Sequence, residues 1–194
     1  KEDPFDIFIC YKETDENGRR ALDSVLAMDL YESLWAEGYN VFFSRVTLKD
    51  KIGTAYEPYI FAALQSARVM IVLGTKPAHF EAVWVRNEWS RFLGLIKQDK
   101  TRLLIPAYKN MNPYDMPKAF SHLQGLDMSK LGFKQDLIAA IKRVVKPGMK
   151  GKFAGIESRI RLSGNEAGFI ERGFMLLEEE EWKKARITFA NALR

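Results

Sequence analysis

The sequence has little of what several common classes of protein require. Its 194 residues include one cysteine and two histidines, so an internal disulfide is impossible and a zinc site is not expected. Neither of the glycine patterns that cradle phosphates, GxGxxG or GxxxxGK, occurs. Their absence argues against a Rossmann-type dinucleotide site and against a P-loop enzyme.

Long apolar runs and targeting signals are also missing. No apolar segment approaches the length of a membrane span, and no secretory signal is present. The single cysteine, Cys10, lies in a short apolar run, where we interpret it as a small buried hydrophobe in a reducing compartment. We therefore expect a cytoplasmic protein with no membrane contact. Because the chain opens at Lys1 rather than Met, we also expect residues upstream of it.

Positive charge is in modest excess but is not concentrated. The formal net charge is +5 and the isoelectric point is about 9.2. Lysines and arginines are scattered among acidic residues, without the basic blocks or interleaved aromatics of a nucleic-acid surface. We expect no nucleic-acid partner, whereas a phosphate-bearing small molecule fits this charge balance.

Apolar strands and amphipathic helices alternate along most of the chain. The predicted strands are 5–11, 39–44, 69–73, 102–108 and 126–128, and the predicted helices are about 24–37, 57–67, 80–97 and 133–145. Such alternation predicts an α/β fold, a parallel sheet covered by helices on both faces. Ligands of such sheets bind beyond the carboxyl ends of the strands. There we predict loops at 11–20, 44–55 and 74–80, and after 108.

The helix predicted after the third strand carries the most suggestive pair of side chains. Its core-facing stripe is Val85, Trp89, Phe92, Leu93 and Ile96. Trp84 and Glu88 lie four residues apart and therefore one turn above each other. Glu88 is either a surface carboxylate beside a tryptophan or a carboxylate at the mouth of a cleft, placed to stabilise positive charge on a substrate.

Three segments in this order resemble the Toll/interleukin-1 receptor (TIR) domain of bacterial type. FDIFICYK, from Phe5 to Lys12, is similar to the first box of the family. The segment from Ser44 to Gly53 is similar to its BB loop, and Trp84 to Glu88 form its WxxxE arrangement. The resemblance covers about Asp3 to Val145.

The resemblance implies a flavodoxin-like five-stranded parallel sheet of order 2-1-3-4-5, within a TIR domain at residues 1–146. It also implies an activity, because catalytic members cleave the nicotinamide–ribose bond of NAD+. Their products are nicotinamide and either ADP-ribose or a cyclic ADP-ribose isomer. By this resemblance NAD+ is the substrate, and no cofactor or metal is needed.

The same resemblance implies a set of site residues on the first strand and the WxxxE helix. Glu88 corresponds to the catalytic glutamate, and Trp84 supports it. Tyr11 and Lys12 line the cleft, where Lys12 contacts a phosphate. The structural alternatives are a tyrosine that ends a buried strand, a solvated lysine and a core tryptophan.

The remaining candidates lie in or next to the BB loop. Ser44 and Arg45 open this loop and are implied to line the cleft, although Arg45 is also open to interpretation as a solvated surface charge. Ser44 stands where many catalytic relatives carry an acidic residue, which we expect to affect rate and specificity rather than reaction class. Tyr56, just beyond the loop, is the candidate aromatic for contacting nicotinamide.

The C-terminal part of the chain has a different character. Pro147, Gly148 and nearby lysines predict a linker at 147–155. Two helices within 156–194 predict a hairpin that resembles the start of a tetratricopeptide array and is cut off at Arg194. A hairpin packed on the main domain is the alternative. This region is the candidate site for a protein partner.

Two classes of function therefore remain open at the level of sequence. The first is an NAD+ glycohydrolase or cyclase in bacterial defence or signalling, with a site completed by self-association. The second is a non-catalytic adaptor that binds other TIR domains. A flavodoxin-like response or nucleotide-binding module is disfavoured, because the first strand does not end in an acidic cluster.

Overall fold

A five-stranded parallel sheet in the order β2-β1-β3-β4-β5 forms the middle layer of the fold. The computed structural model describes residues 4–48 and 57–148. The strands are β1 (Ile7–Tyr11), β2 (Val41–Phe42), β3 (Val69–Gly74), β4 (Leu103–Tyr108) and β5 (Leu126–Asp127). The predicted flavodoxin-like α/β architecture and its strand order are confirmed.

Helices cover both faces of the sheet. They are α1 (Leu22–Ala36), α2 (Ser44–Thr47), α3 (Glu57–Ser66), α4 (Pro77–Phe80), α5 (Val83–Gln98) and α6 (Phe133–Lys142). The connection from β4 to β5 contains two short 3-10 turns, at Pro113–Asp115 and Lys118–Phe120. Parallel strands need such crossovers, so the alternating sequence pattern and the layered fold have the same cause.

Both faces of the central strands are shielded from water. Every residue of β1 and β3 is buried, and the two strands run in register with Ile9 beside Ile71. Successive side chains of β1 point to opposite faces. Ile9 joins the apolar layer beneath α1 and α6, whereas Cys10 joins the layer beneath α3 and α5. The continuous apolar runs of the sequence are therefore strands buried on both sides.

Helix α1 ends where a glycine permits the chain to turn. Gly38 has a φ of 92°, in the left-handed region that glycine adopts without a steric penalty. Its amide donates to the carbonyl of Trp35 at 2.9 Å and closes the last turn. The chain then passes into β2, which places the residues that follow Phe42 at the carboxyl edge of the sheet.

Several details of the predicted elements are wrong, among them the loop expected at 74–80, which contains helix α4. The helix expected from Phe80 onward is divided, because Ala82 has extended backbone angles (φ −55°, ψ 137°) between α4 and α5. The loop expected from Ser44 begins instead with the single helical turn α2. The side chain of Thr47 stabilises this turn by accepting a hydrogen bond from the Phe43 amide at 3.1 Å.

Several predictions fall outside the described residues. These include Tyr56, most of the linker and the helical hairpin at 156–194. Within residues 4–48 and 57–148, no helix combines the length and apolarity needed to cross a bilayer. The same residues contain no cluster of three or more histidine, cysteine or acidic side chains that is suited to hold a metal ion.

Candidate active site

A cleft of about 400 Å³ opens at the carboxyl edge of the sheet. Its walls come from the residues after β1, the start of α2 and the first turns of α5. Five residues predicted from the sequence line it: Tyr11, Lys12, Ser44, Trp84 and Glu88. These residues are distant in sequence, and the parallel topology brings them together because β1, β2 and β3 all end at this edge.

Glu88 has the chemically most unusual environment in the cleft. It lies in the second turn of α5, and its side chain is partly buried. Burial raises the pKa of Glu88 to about 7, and a hydrogen bond with the Cys10 side chain partly opposes this rise. A carboxyl group whose pKa is near neutrality can hold or release a proton under physiological conditions.

Cys10 interacts with Glu88, a role that the sequence did not indicate. The thiol is fully buried, and its Sγ lies 3.6 Å from the carbonyl oxygen of Val85 on α5. Burial, followed by the charge of Glu88 and the hydrogen bond to it, raises the pKa of the Cys10 thiol well above its ordinary value. The thiol is therefore protonated and acts as a donor toward α5.

Tyr11 and Ser44 form a hydroxyl pair on another wall of the cleft. The Tyr11 Oη and Ser44 Oγ atoms lie 3.1 Å apart, and either can be the donor. The Tyr11 ring stacks on Phe43, with ring centroids 5.2 Å apart. Tyr11 is thus both a buried strand end, as the structural alternative proposed, and a polar lining residue. Because the ring is packed, its hydroxyl holds Ser44 in place.

Lys12 lies at the rim, where its charge is partly engaged. Its ammonium group donates to the carbonyl of Thr14 in the loop after β1. The ammonium is therefore held close to the cleft that it lines. A lysine has three donors, so this contact leaves it able to bind an anion as well.

The two tryptophans of α5 have different environments. Trp89 is buried, and its Nε1 donates to the Phe80 carbonyl at 2.8 Å. Trp84 is 47% exposed at the cleft mouth, beside Val83, which is 75% exposed. The interpretation of Trp84 as a core residue is therefore wrong. Its exposed ring is available to a ligand.

The side chains of two predicted site residues, Arg45 and Tyr56, are not among those that the structure describes. Arg45 lies in α2, at the position after Ser44, and the description of it is limited to its backbone. Tyr56 lies outside the described residues. Their predicted roles toward substrate stay predictions.

Sequence reasoning missed several residues that shape the cleft. Leu48 and Ile60 contribute apolar lining, and Thr14 contributes part of the rim. Cys10 was assigned only a packing role. The signal for a closer role was the strand period, because Cys10 and Phe8 point to the same face of β1, where α5 packs. The strand period alone could not show that the Cys10 thiol would interact with Glu88.

Comparison with known proteins identifies the fold and the family. A family model described as the TIR domain matches residues 7–145. The TIR domains of an activated Roq1 resistosome that recognises the effector XopQ share the fold with a TM-score of 0.54 and 14% identity. That likeness covers 71% of this chain and 99% of the other.

A metazoan TIR-STING receptor from C. gigas, in complex with 2′,3′-cGAMP, aligns with a TM-score of 0.53 and 18% identity. The alignment covers 74% of this chain and 41% of that receptor. No curated protein matches the sequence. These comparisons confirm the TIR resemblance, but they do not support its narrower bacterial type or the tetratricopeptide-like region. The chain belongs to the TIR domain family.

Proposed function

We propose that this TIR domain cleaves the nicotinamide–ribose bond of NAD+. The observation that carries the proposal is Glu88, a partly buried carboxyl group in a cleft at the carboxyl edge of the sheet. The family includes enzymes that cleave NAD+, and their catalytic glutamate corresponds to Glu88 in the resemblance stated above. Geometry, family and chemistry therefore converge on one residue.

The proposed reaction breaks the bond between ribose C1′ and the nicotinamide nitrogen. The bonding electron pair leaves with nicotinamide, which becomes neutral, and positive charge moves to the ribose C1′ and ring oxygen. Glu88 as a carboxylate stabilises that charge and holds the ribose hydroxyls. Attack by water then gives ADP-ribose and a proton, whereas attack by the adenosine part of the same molecule gives a cyclic isomer.

The leaving group decides which protonation state of Glu88 is active. Nicotinamide departs as a neutral molecule, so it needs no proton from an acid. The ionised form of Glu88 is therefore the working form. With a pKa of about 7, this form predominates only above neutrality in the free protein, and a bound cationic nicotinamide ring further favours it.

The other lining residues supply contacts for the remainder of the substrate. The exposed Trp84 ring can stack on nicotinamide or adenine. In this proposal the paired hydroxyls of Tyr11 and Ser44, which lie 3.1 Å apart, hydrogen-bond a ribose, and Lys12, which lines the cleft, contacts a phosphate. Arg45 and Tyr56 complete the proposed set of substrate contacts. NAD+ is the substrate in this proposal, and no separate cofactor is required.

The proposal also includes self-association and a cellular role. We infer that TIR–TIR contacts complete the site, and that the domain acts in the cytoplasm in bacterial defence or signalling. The C-terminal region 156–194 would bind a protein partner. Val83 and Trp84 support the association, since an exposed apolar pair at the mouth of a cleft suits contact with a second copy.

The same exposed pair favours a second candidate function, a non-catalytic adaptor. An adaptor would use Val83 and Trp84 to bind another TIR domain and would need no carboxylate in the cleft. It should therefore tolerate Glu88→Ala in every assay. Catalysis and adaptor function are separated by that substitution.

The decisive experiment measures nicotinamide release from NAD+ at high protein concentration. We expect release by the parent chain, complete loss in Glu88→Ala and parent-like release in Glu81→Ala. Glu81 is a matched control because it lies just before α5 but outside the cleft, in an exposed ion pair with Arg86 at 3.4 Å. If neither the parent nor Glu88→Ala releases nicotinamide, even in concentrated assemblies, the adaptor function is favoured. If the parent does release nicotinamide, analysis of the ribosyl product separates hydrolysis from cyclisation.

A further inference from the structure

A second buried carboxylate lies at the carboxyl edge of the sheet, outside the cleft. Asp23, in the first turn of α1, is fully buried. Its Oδ1 accepts hydrogen bonds from the Thr75 amide at 3.2 Å and from the Thr75 hydroxyl at 2.6 Å. Its Oδ2 lies 2.8 Å from Nδ1 of His79. Since a carboxylate only accepts, His79 is the donor. We refer to Asp23, Thr75 and His79 as the Asp23 network.

The Asp23 network joins the two layers of helices across the end of a central strand. Asp23 belongs to α1, which packs on one face of the sheet, and Thr75 directly follows β3. His79 belongs to α4, whose next residue, Phe80, is buried in the layer on the other face. The network therefore fixes where α4 crosses the carboxyl edge.

Helix α4 in turn fixes the start of α5. The Phe80 ring lies directly over Gly74, where any Cβ would collide with it. The Phe80 carbonyl accepts the hydrogen bond from the indole nitrogen of Trp89 at 2.8 Å. Ala82 and Val83, which follow within three residues, line the cleft. A chain of contacts thus runs from Asp23 to the wall that carries Glu88.

We propose that Asp23 is a positioning residue for the candidate active site, which it serves by holding α4 and thereby the start of α5 in place. As a statement about catalysis, this inference rests on the proposed cleavage of NAD+. As a statement about geometry, it does not. The two parts are tested by different measurements.

The geometric part is tested by hydrogen–deuterium exchange of the full chain, comparing the parent with Asp23→Ala, Asp23→Asn and Ile141→Ala. Asp23→Ala leaves three donors without their acceptor, so we expect exchange over residues 76–85 to rise about tenfold. Asp23→Asn keeps an oxygen for Thr75 and should give a smaller rise. Ile141→Ala truncates a buried side chain of α6 and should raise exchange in α6 but not over 76–85.

The catalytic part is tested by separating KM from kcat for NAD+ at a temperature where all variants are folded. A loosened cleft wall raises KM, and we expect a rise of about tenfold in Asp23→Ala, with partial recovery in Asp23→Asn. Partial unfolding would lower only the active fraction and hence the apparent kcat, with KM unchanged, so Ile141→Ala, which is folded at this temperature, should keep the KM and the kcat of the parent.

Two outcomes would overturn the inference. Exchange that rises uniformly, or not at all over 76–85, contradicts the geometric part. If Asp23→Ala does not fold, Asp23→Asn and His79→Gln carry the same test. Local loosening with parent-like KM and kcat contradicts the positioning role. A parent that releases no nicotinamide refutes the proposed function, and the exchange result then still decides whether Asp23 holds the wall.

Discussion

Two carboxyl groups lie at the same edge of this sheet, Asp23 fully buried and Glu88 partly buried, and they differ in their hydrogen bonds. Asp23 accepts three hydrogen bonds from Thr75 and His79. Glu88 lies against the Cys10 thiol, a weak donor, and burial outweighs that contact in setting its pKa. A buried carboxylate with strong partners stabilises the fold. A buried carboxylate whose only donor is weak remains available to a substrate.

The largest expected effect concerns Glu88 and is on activity. Glu88→Gln preserves the shape of the side chain but removes its charge. If the ionised carboxylate stabilises the ribosyl cation, the rate of nicotinamide release should fall by about 100-fold or more.

The control for this loss is Glu81→Gln, which neutralises an exposed carboxylate just before α5 and should leave the rate unchanged. A Glu88→Gln variant that retains more than about a tenth of the parent rate would contradict electrostatic stabilisation by Glu88. Glu88 would then differ from Asp23 in its hydrogen bonds and pKa but not in a catalytic role.

The second effect concerns Asp23 and is on stability. Asp23→Ala removes the acceptor of three buried hydrogen bonds, and each donor left unsatisfied costs about 1–3 kcal/mol. Relaxation recovers part of this cost, so we expect the free energy of unfolding to fall by about 2–5 kcal/mol, as for other broken buried networks. Urea denaturation measures it.

Asp29→Ala is the matched control for Asp23→Ala. Asp29 lies on the same helix, but it is exposed and paired with Lys134 at 2.7 Å. The loss of a surface ion pair should cost less than about 1 kcal/mol. Equal losses in the two variants would show that the Asp23 network contributes no more than a surface contact.

The third effect is the pH dependence of stability that Glu88 confers. Its pKa is about 7 in the folded protein and 4.5 in the reference state, so the folded protein binds the proton more tightly. The stabilisation is fully present below about pH 4.5 and is lost as the pH rises through about 7. The difference corresponds to about 3 kcal/mol at most.

Glu88→Gln has no such proton to lose. Its free energy of unfolding, relative to that of the parent, should therefore increase between pH 4.5 and pH 8 by up to about 3 kcal/mol. Urea denaturation at several pH values measures this difference. A constant difference over that range would mean that the Glu88 carboxyl group is not desolvated in the folded state.

Much of the fold could be predicted because its signals are local. The fully apolar runs of β1 and β3 predicted buried parallel strands, and the spacing of Val85, Trp89 and Phe92 predicted the buried stripe of α5. The break at Ala82 could not be predicted, because no glycine or proline marks it. It accompanies the packing of Phe80 over Gly74, which is a tertiary contact.

The residues of the candidate site likewise include some that local sequence signals predict and some that only tertiary contacts reveal. Glu88 and Trp84 are recognisable as a spaced pair on one helix, and the rule for parallel sheets placed them at the correct edge. Asp23 and His79 are 56 residues apart, and neither belongs to a motif. Their pairing depends on how α1 and α4 meet over β3. The interaction of Cys10 with α5 could not be predicted for the same reason, because it too depends on a tertiary contact.

The smallest effect would show how strongly Cys10 influences Glu88. Because the ionised carboxylate is the working form, kcat/KM of the parent should rise with pH and level off above about 7. The Cys10 thiol lowers the pKa of Glu88 by its hydrogen bond. Cys10→Ala removes that donor, so the rise should move to higher pH, whereas Cys10→Ser, which keeps a donor, should leave it near the parent position or move it lower.

A second residue of β1 provides the control, because Ile9→Val changes the packing on the opposite face of the strand and should leave the profile in place. If Cys10→Ala and Cys10→Ser move the profile equally, packing rather than hydrogen bonding connects Cys10 to Glu88. If neither variant moves it, burial alone sets the pKa of Glu88. The two carboxylates would then differ still more sharply, since Asp23 accepts three hydrogen bonds from Thr75 and His79, whereas no hydrogen bond would influence the pKa of Glu88.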